Sequence, residues 1–225
     1  VLSDAATLGT AGYFNNITIQ NNSVQRSYIG VYSIAAVAAG NGSGVLITSN
    51  NLDVSGANAI TFVGIYVQGT DGLTVSGNNI ANFDALGFQD DKGIWFATGT
   101  TNSVIEKNKI HDLTHTNDGG YGGHGVFVST GTTACNVTVK NNMIWGITGD
   151  GWNYTSIPTD NPIGISMTST QTGVNVYYNS INLYGNTLDQ TSAMSMGMFL
   201  GTGSTADIRD NSIVNNIGFL AATGY

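Results

Sequence analysis

The chain has 225 residues, 41% of them hydrophobic, enough to bury a core as one domain. Charged residues are only 9% and the net charge is −8; the six Lys/Arg (Arg26, Lys92, Lys107, Lys109, Lys140, Arg209) form no basic patch, which argues against nucleic acid and anionic membrane surfaces. The single cysteine, Cys135, leaves no disulfide framework or thiolate metal cluster and reads as a small buried hydrophobe, and no apolar run is long enough to span a bilayer.

Residues 1–16 are irregular, and from Ile17 a pattern starts to recur. An apolar pair two residues apart precedes an asparagine, which in turn precedes a branched apolar residue by two. The asparagines are Asn22, Asn50, Asn78, Asn108, Asn142, Asn179 and Asn211, with successive intervals of 28, 28, 30, 34, 37 and 32 residues. The pairs before them are Ile17/Ile19, Val45/Ile47, Leu73/Val75, Ser103/Ile105, Val137/Val139, Val174/Val176 and Ala206/Ile208. Spacing by two puts both members of a pair on one face of a short strand. A second strand opens on a glycine followed by an apolar residue at Gly64, Gly93, Gly125, Gly164 and Gly197. Each period therefore holds about three short strands, and no window offers a helical stripe. The predicted fold is all-β: a right-handed parallel β-helix of about seven coils. Stacked copies would let the asparagine amides bond up and down the rod, which makes that column a structural ladder. One domain, 1–225, is expected: an irregular lead-in over 1–16, coils over 17–217, and a tail or further coil from 218. The chain reads as a segment of a longer protein.

The interval from glycine to the next asparagine is steady at 14 to 17 residues, whereas asparagine to glycine runs 14, 15, 17, 22 and 18. Insertions thus gather at one corner, in Phe83–Lys92, Leu113–His124, Ile147–Pro162 and Tyr184–Ser195. Repeat proteins often work through that face. These corners and their edges hold the three histidines, Trp145, Trp152, Tyr121, Tyr154, both prolines and most of the aspartates.

Two constellations carry candidate chemistry. In Gly-Ile-x-Val the residue x points outward, which lines up Tyr66, Trp95, Phe127, Ser166 and Phe199; rings along a rod suit stacking on sugars, with Tyr121 and Trp152 beside them. Asp84, Asp90, Asp91, His111, Asp112, His115, Asp118, His124, Asp150 and Asp160 form an acidic, histidine-bearing set that stacking would bring close. Paired carboxylates can act on a glycosidic bond or bind Ca²⁺, although no cofactor is required for the reading adopted here. His111 and His115 have zinc spacing only on a helix, which this segment does not suggest; a metal site is left undetermined.

Gln89-Asp90-Asp91 and Gly122-Gly123-His124-Gly125 resemble the Asp-Asp and Gly-His-Gly motifs of the polygalacturonase family. That resemblance implies an inverting hydrolysis with Asp90 and Asp91 as carboxylates and His124 in support, and Asp112 joins them in this alternative. The family's Asn-Thr-Asp position one coil earlier reads Phe62-Val63-Gly64. Its Arg-Ile-Lys position reads Asn161-Pro162-Ile163. Segments Val137–Ile147, Pro162–Met167, Val174–Gly185 and Ala206–Asn216 are similar to the long β-helix-repeat proteins secreted to the surface of Bacteroidetes and related bacteria. This second resemblance implies an extracellular or cell-surface adhesive or glycan-contacting scaffold. The expected function is therefore a structural or binding module without turnover, contacting polysaccharide or neighbouring copies of itself through Tyr66, Trp95, Phe127, Phe199, Tyr121 and Trp152. The alternative is a polysaccharide hydrolase or lyase.

Overall fold

The computed structural model describes residues 10–84, 87–116 and 119–220. Every ladder of its three sheets is parallel, and the sheets contain six, seven and six strands. The first sheet stacks Ile29–Ile34, Val63–Gln68, Lys92–Phe96, His124–Val128, Ile163–Met167 and Met196–Leu200. The second sheet begins at Thr18–Gln20 and Leu46–Thr48 and ends at Ala206–Arg209. The third runs from Asn51–Asp53 through Asn79–Phe83, Lys109–Leu113, Met143–Ile147 and Ser180–Leu188 to Ser212–Phe219. The chain visits first, second and third sheet in turn, completing about six laps of a right-handed parallel β-helix, with a seventh strand in the second sheet only. The last strand reaches Phe219, two residues past the expected coil boundary, and the strand Ser180–Leu188 runs five residues into the corner expected to start at Tyr184.

Register repeats residue for residue. In the second sheet Ile19, Ile47, Val75, Ile105, Val139, Val176 and Ile208 lie one above another. In the third sheet Leu52, Ile80, Ile110, Ile144, Ile181 and Ile213 do the same. With Val31, Ile65, Ile94, Val126 and Ile165 of the first sheet the inner members build one continuous aliphatic core, against which Ile19 packs; Ile208 and Ile213, at the last coil, are exposed. Ser103, the polar exception in the apolar pattern, is buried and satisfied: its Oγ donates to the Thr101 carbonyl at 2.6 Å and accepts the Leu73 N–H at 3.1 Å.

The glycine that opens each strand of the first sheet stands where two walls meet. A Cβ at Gly125 would lie 2.6 Å from the Gly164 carbonyl oxygen and 2.5 Å from Ile144 Cγ2. The Ile column of the third sheet fills the space a side chain would need, so this corner accepts only glycine.

The asparagine ladder forms as expected. Each side-chain N–H₂ donates to the Oδ1 one coil on, at 2.9–3.0 Å, from Asn22 through to Asn211. The same Oδ1 also accepts the backbone N–H of the asparagine one coil before it, at 2.9–3.1 Å. A second side-chain hydrogen goes to a main-chain carbonyl of the preceding coil, such as Val75 for Asn108 at 3.1 Å. Asn50, Asn78, Asn108, Asn142 and Asn179 are buried, so the column satisfies polar groups that water does not reach.

Before each ladder asparagine the backbone is left-handed. Asn21, Ser49, Gly77, Lys107, Asn141, Tyr178 and Asp210 have φ between 54° and 66°. This residue turns the chain sharply from second to third sheet and points the amide inward. Non-glycine residues occupy such a conformation at a cost of roughly 1 kcal/mol.

Two outcomes follow for unfolding in urea. Asn108→Ala removes the acceptor of two Asn78 hydrogens and should cost about 3 kcal/mol, whereas Asn22→Ala at the exposed end should cost under about 1 kcal/mol; equal losses would contradict a cooperative ladder. Lys107→Gly relieves the left-handed backbone and should gain about 0.5–1 kcal/mol, because the lost contact is an exposed pair with Glu106 at 3.7 Å.

Candidate functional site

The corner between third and first sheets carries the chain's variable segments, and the strands that follow it fix their outer side chains by register. Tyr66, Trp95 and Phe127 are adjacent in the ladder, followed by Ser166 and Phe199. Tyr32 extends the column one coil earlier, at a ring separation of 5.0 Å from Tyr66. Tyr66 to Trp95 is 5.0 Å at 80° and Trp95 to Phe127 is 5.5 Å at 77°. The rings therefore pack edge to face on one another and are half-buried; they do not present a row of flat faces. Trp95 Nε1 donates to Ser129 Oγ at 2.8 Å and the Tyr66 hydroxyl to Gln68 Oε1 at 2.7 Å, which fixes both rings further. Ser166 is fully buried and separates Phe199 from the other rings.

Beside this column the corner segments cover a polar cluster. Val63, Lys92, His124 and Ile163 succeed one another in register just before the strand glycines. The Lys92 ammonium lies 5.5, 5.1 and 5.2 Å from the ring centroids of Phe62, Trp95 and Phe127. It donates to the Asp90 carbonyl at 2.9 Å and stands 3.8 Å from the Asp90 carboxylate. Burial pulls the Lys92 pKa down, against the opposing pull of Asp90, Asp91 and Asp160. The buried His124 donates from Nε2 to the Thr159 carbonyl at 2.7 Å; burial and then Lys92 lower its pKa to about 3, so the ring is neutral.

Asp91 and His115 form a second pair, both side chains fully buried, with Oδ2 and Nδ1 3.6 Å apart. Burial works against the imidazolium, but Asp91, with Asp150 and Asp84 behind it, outweighs that and raises the His115 pKa. Asp90 keeps 13% of its side chain exposed and accepts the Gly122 N–H at 3.2 Å. Its pKa is raised to about 6, first by burial and then by Asp160, with Lys92, the Gly122 N–H and His115 pulling the other way. Asp150 and Asp84 tie down loops: Asp150 accepts the N–H groups of Gly120 and Tyr121 at 2.8 Å each, and Asp84 bonds the backbone and hydroxyl of Thr116.

The expected quartet is not assembled. Asp90, Asp91 and His124 share the corner, but Asp91 and His124 are sealed from solvent and Asp112 belongs to the outer face of the third sheet, where it bonds His111 at 2.8 Å. The reason is local: Asp112 has φ 49°, in line with Asn82 and Gly146 in neighbouring coils, and this bend turns Leu113 inward while leaving Asp112 outside. Asp118 lies outside the described residues. Among the described residues no three Asp, Glu, His or Cys side chains converge as a metal ion requires, and no helix is long and apolar enough to cross a membrane.

Tyr121 packs 5.4 Å from His115 and 6.2 Å from Phe88, while Trp152 lies over Gly120. Phe88, Tyr28 and Tyr154 join Trp152 as exposed aromatics along the corner. Sequence reasoning passed over Phe88, Tyr28, Tyr32 and Lys92. Lys92 alone gave a signal, as a lone cation next to paired carboxylates in a chain with only six Lys/Arg.

The Asp90 shift has a definite sign. A carboxyl whose folded pKa exceeds its unfolded value near 3.9 stabilises the fold below that value, and the contribution is lost as pH rises through about 6. Relative to the wild type, Asp90→Asn should therefore be more favourable at pH 7 than at pH 4, by on the order of 2–3 kcal/mol in urea unfolding. A pH-independent difference would mean that Asp90 is solvated.

A family model described as "Right handed beta helix region" matches residues 4–164. No curated protein and no solved structure matches the chain. The match spans well over half of the sequence and agrees with the three parallel sheets: the chain belongs to the right-handed β-helix family.

Proposed function

We propose that this chain is an extracellular or cell-surface β-helix module that holds an extended glycan along its variable corner without turning it over. The observation that carries the reading is the set of exposed aromatics on the corner segments: Phe88 at 77% and Trp152 at 38% exposure, with Tyr28 and Tyr154, where Asp150 and Asp84 anchor the neighbouring loop. Flat rings on a rigid rod offer sugar rings stacking surfaces at little entropic cost. The half-buried column of Tyr66, Trp95, Phe127 and Phe199 serves as support behind them, with Tyr121 bridging to His115.

Hydrolysis is the second reading, favoured by Asp90, a partly exposed carboxyl with pKa about 6 of the kind a general acid needs. Its companions weigh against it, since Asp91 and His124 are buried and Asp112 faces elsewhere. Incubation with polyuronates and neutral polysaccharides, with and without Ca²⁺, separates the two. Retention on one polysaccharide with no new reducing ends or unsaturated products is expected, and Trp152→Ala should weaken it about tenfold. Product that disappears in Asp90→Asn would overturn the binding reading. So would self-association, with no glycan retained, that Trp152→Ala abolishes.

A further inference from the structure

The outer face of the third sheet holds a cleft that the corner does not share. It has a volume of about 400 Å³ and is lined by Met143, Trp145, Ser180, Asn182, Ser212 and Val214 along with backbone of the same strands. Register explains its shape. His111, Trp145, Asn182 and Val214 succeed one another in one column, and Met143, Ser180 and Ser212 in the column beside it. His111 and Trp145 stack face to face, 4.2 Å apart and within 4° of parallel. His111 is held at its edge, with Nδ1 2.8 Å from Asp112 Oδ2 and Nε2 3.2 Å from Asn79 Oδ1. The indole thus lies flat on a locked support. One coil on, where a third ring would continue the stack, stands the short side chain of Asn182, with two serines alongside.

We propose that this cleft binds a pyranose residue, with Trp145 as its platform. The indole face left open by the missing third ring takes the C–H face of the sugar. Asn182 offers both a donor and an acceptor to the ring hydroxyls, Ser180 and Ser212 supply hydroxyls across the floor, and Met143 and Val214 close the apolar ends. The combination of one flat apolar surface and several neutral hydrogen-bonding groups selects a neutral, hydroxyl-rich ring; its volume suits a small ligand. The site is independent of the corner contact and lies on a different sheet.

The test titrates the whole chain with methyl pyranosides of glucose, galactose, mannose and glucuronic acid and with short oligomers of the neutral three. Saturation-transfer NMR and tryptophan fluorescence are read together. At least one neutral pyranoside should bind with a Kd on the order of 1 mM, and an oligomer that binds no better than its monomer assigns the site to a single residue. Trp145→Ala should weaken binding at least tenfold, Trp145→Phe by less, and Trp152→Ala not at all. Asn182→Leu, which keeps the side-chain size and removes the amide, should also weaken it severalfold in a protein that unfolds like the wild type. Binding that survives Trp145→Ala, or no binding by any neutral member, overturns the proposal. Self-association lost in Trp145→Ala without any sugar bound overturns it in favour of a second copy. Because loss of polysaccharide retention tracks Trp152 and loss of pyranoside binding tracks Trp145, the two proposals fail separately.

Discussion

In-register stacking is the constraint on which this molecule depends: each side chain has its own counterpart, one lap earlier and one lap later, as its nearest neighbour at about 4.8 Å. A group survives in such a column only if it attracts a copy of itself. Aliphatic side chains do so by excluding water, and a primary amide does so because it is donor and acceptor at once. Charges do not, which accounts for a chain only 9% charged. The asparagine ladder makes the most of this, since inside the rod, from Asn50 to Asn179, each Oδ1 accepts two hydrogens and each side-chain nitrogen serves a neighbouring amide and a main-chain carbonyl. Stability is then cooperative along the rod, and interior members matter more than terminal ones.

The features dictated by that rule were legible in the sequence. The amide column, the alternating aliphatic pairs and the strand glycines each require one residue type at one place, so they stand out even at irregular spacing. The left-handed residue before each asparagine requires only a backbone angle. Asn21, Gly77, Asn141 and Asp210 are of the types that favour this region, but Ser49, Lys107 and Tyr178 are not, so side-chain identity marks the turn in only part of the coils. Asp112 was misplaced for the same reason: its φ sends it to the outside of the third sheet, and no count of intervals contains that angle. The outward column was legible as a row but not as a packing mode, because edge-to-face contact depends on side-chain rotation.

The corner obeys a different rule. Most of its residues lie outside the ladders, so length and composition there are largely free of the stacking constraint, and this is where the molecule buries charge in pairs instead of columns. Lys92 sits among three rings and Asp90, and Asp91 faces His115; each charge is answered by an opposite partner in place of its own copy. Such pairs add little net stability but are costly to break, so they fix which way the loops fold across the start of the first sheet. The buried carboxylates thus hold in position the loops that carry the exposed aromatic rings.

Interruptions of a column show what the outer faces can do. Ser166 breaks the ring column of the first sheet, yet it is fully buried: the face has closed over the gap. Asn182 breaks the shorter His111–Trp145 stack, and there the gap remains open as a cleft. The difference lies in the neighbours. At Ser166 large side chains flank the gap along the column, Phe127 before and Phe199 after, whereas beside Asn182 the adjacent column carries Ser180 and Ser212, too small to lean in. A rod built from self-complementary columns thus acquires a pocket wherever a large residue is followed by small ones in two adjacent columns. That condition is local and independent of the corner, so recognition by this fold need not be confined to its loops.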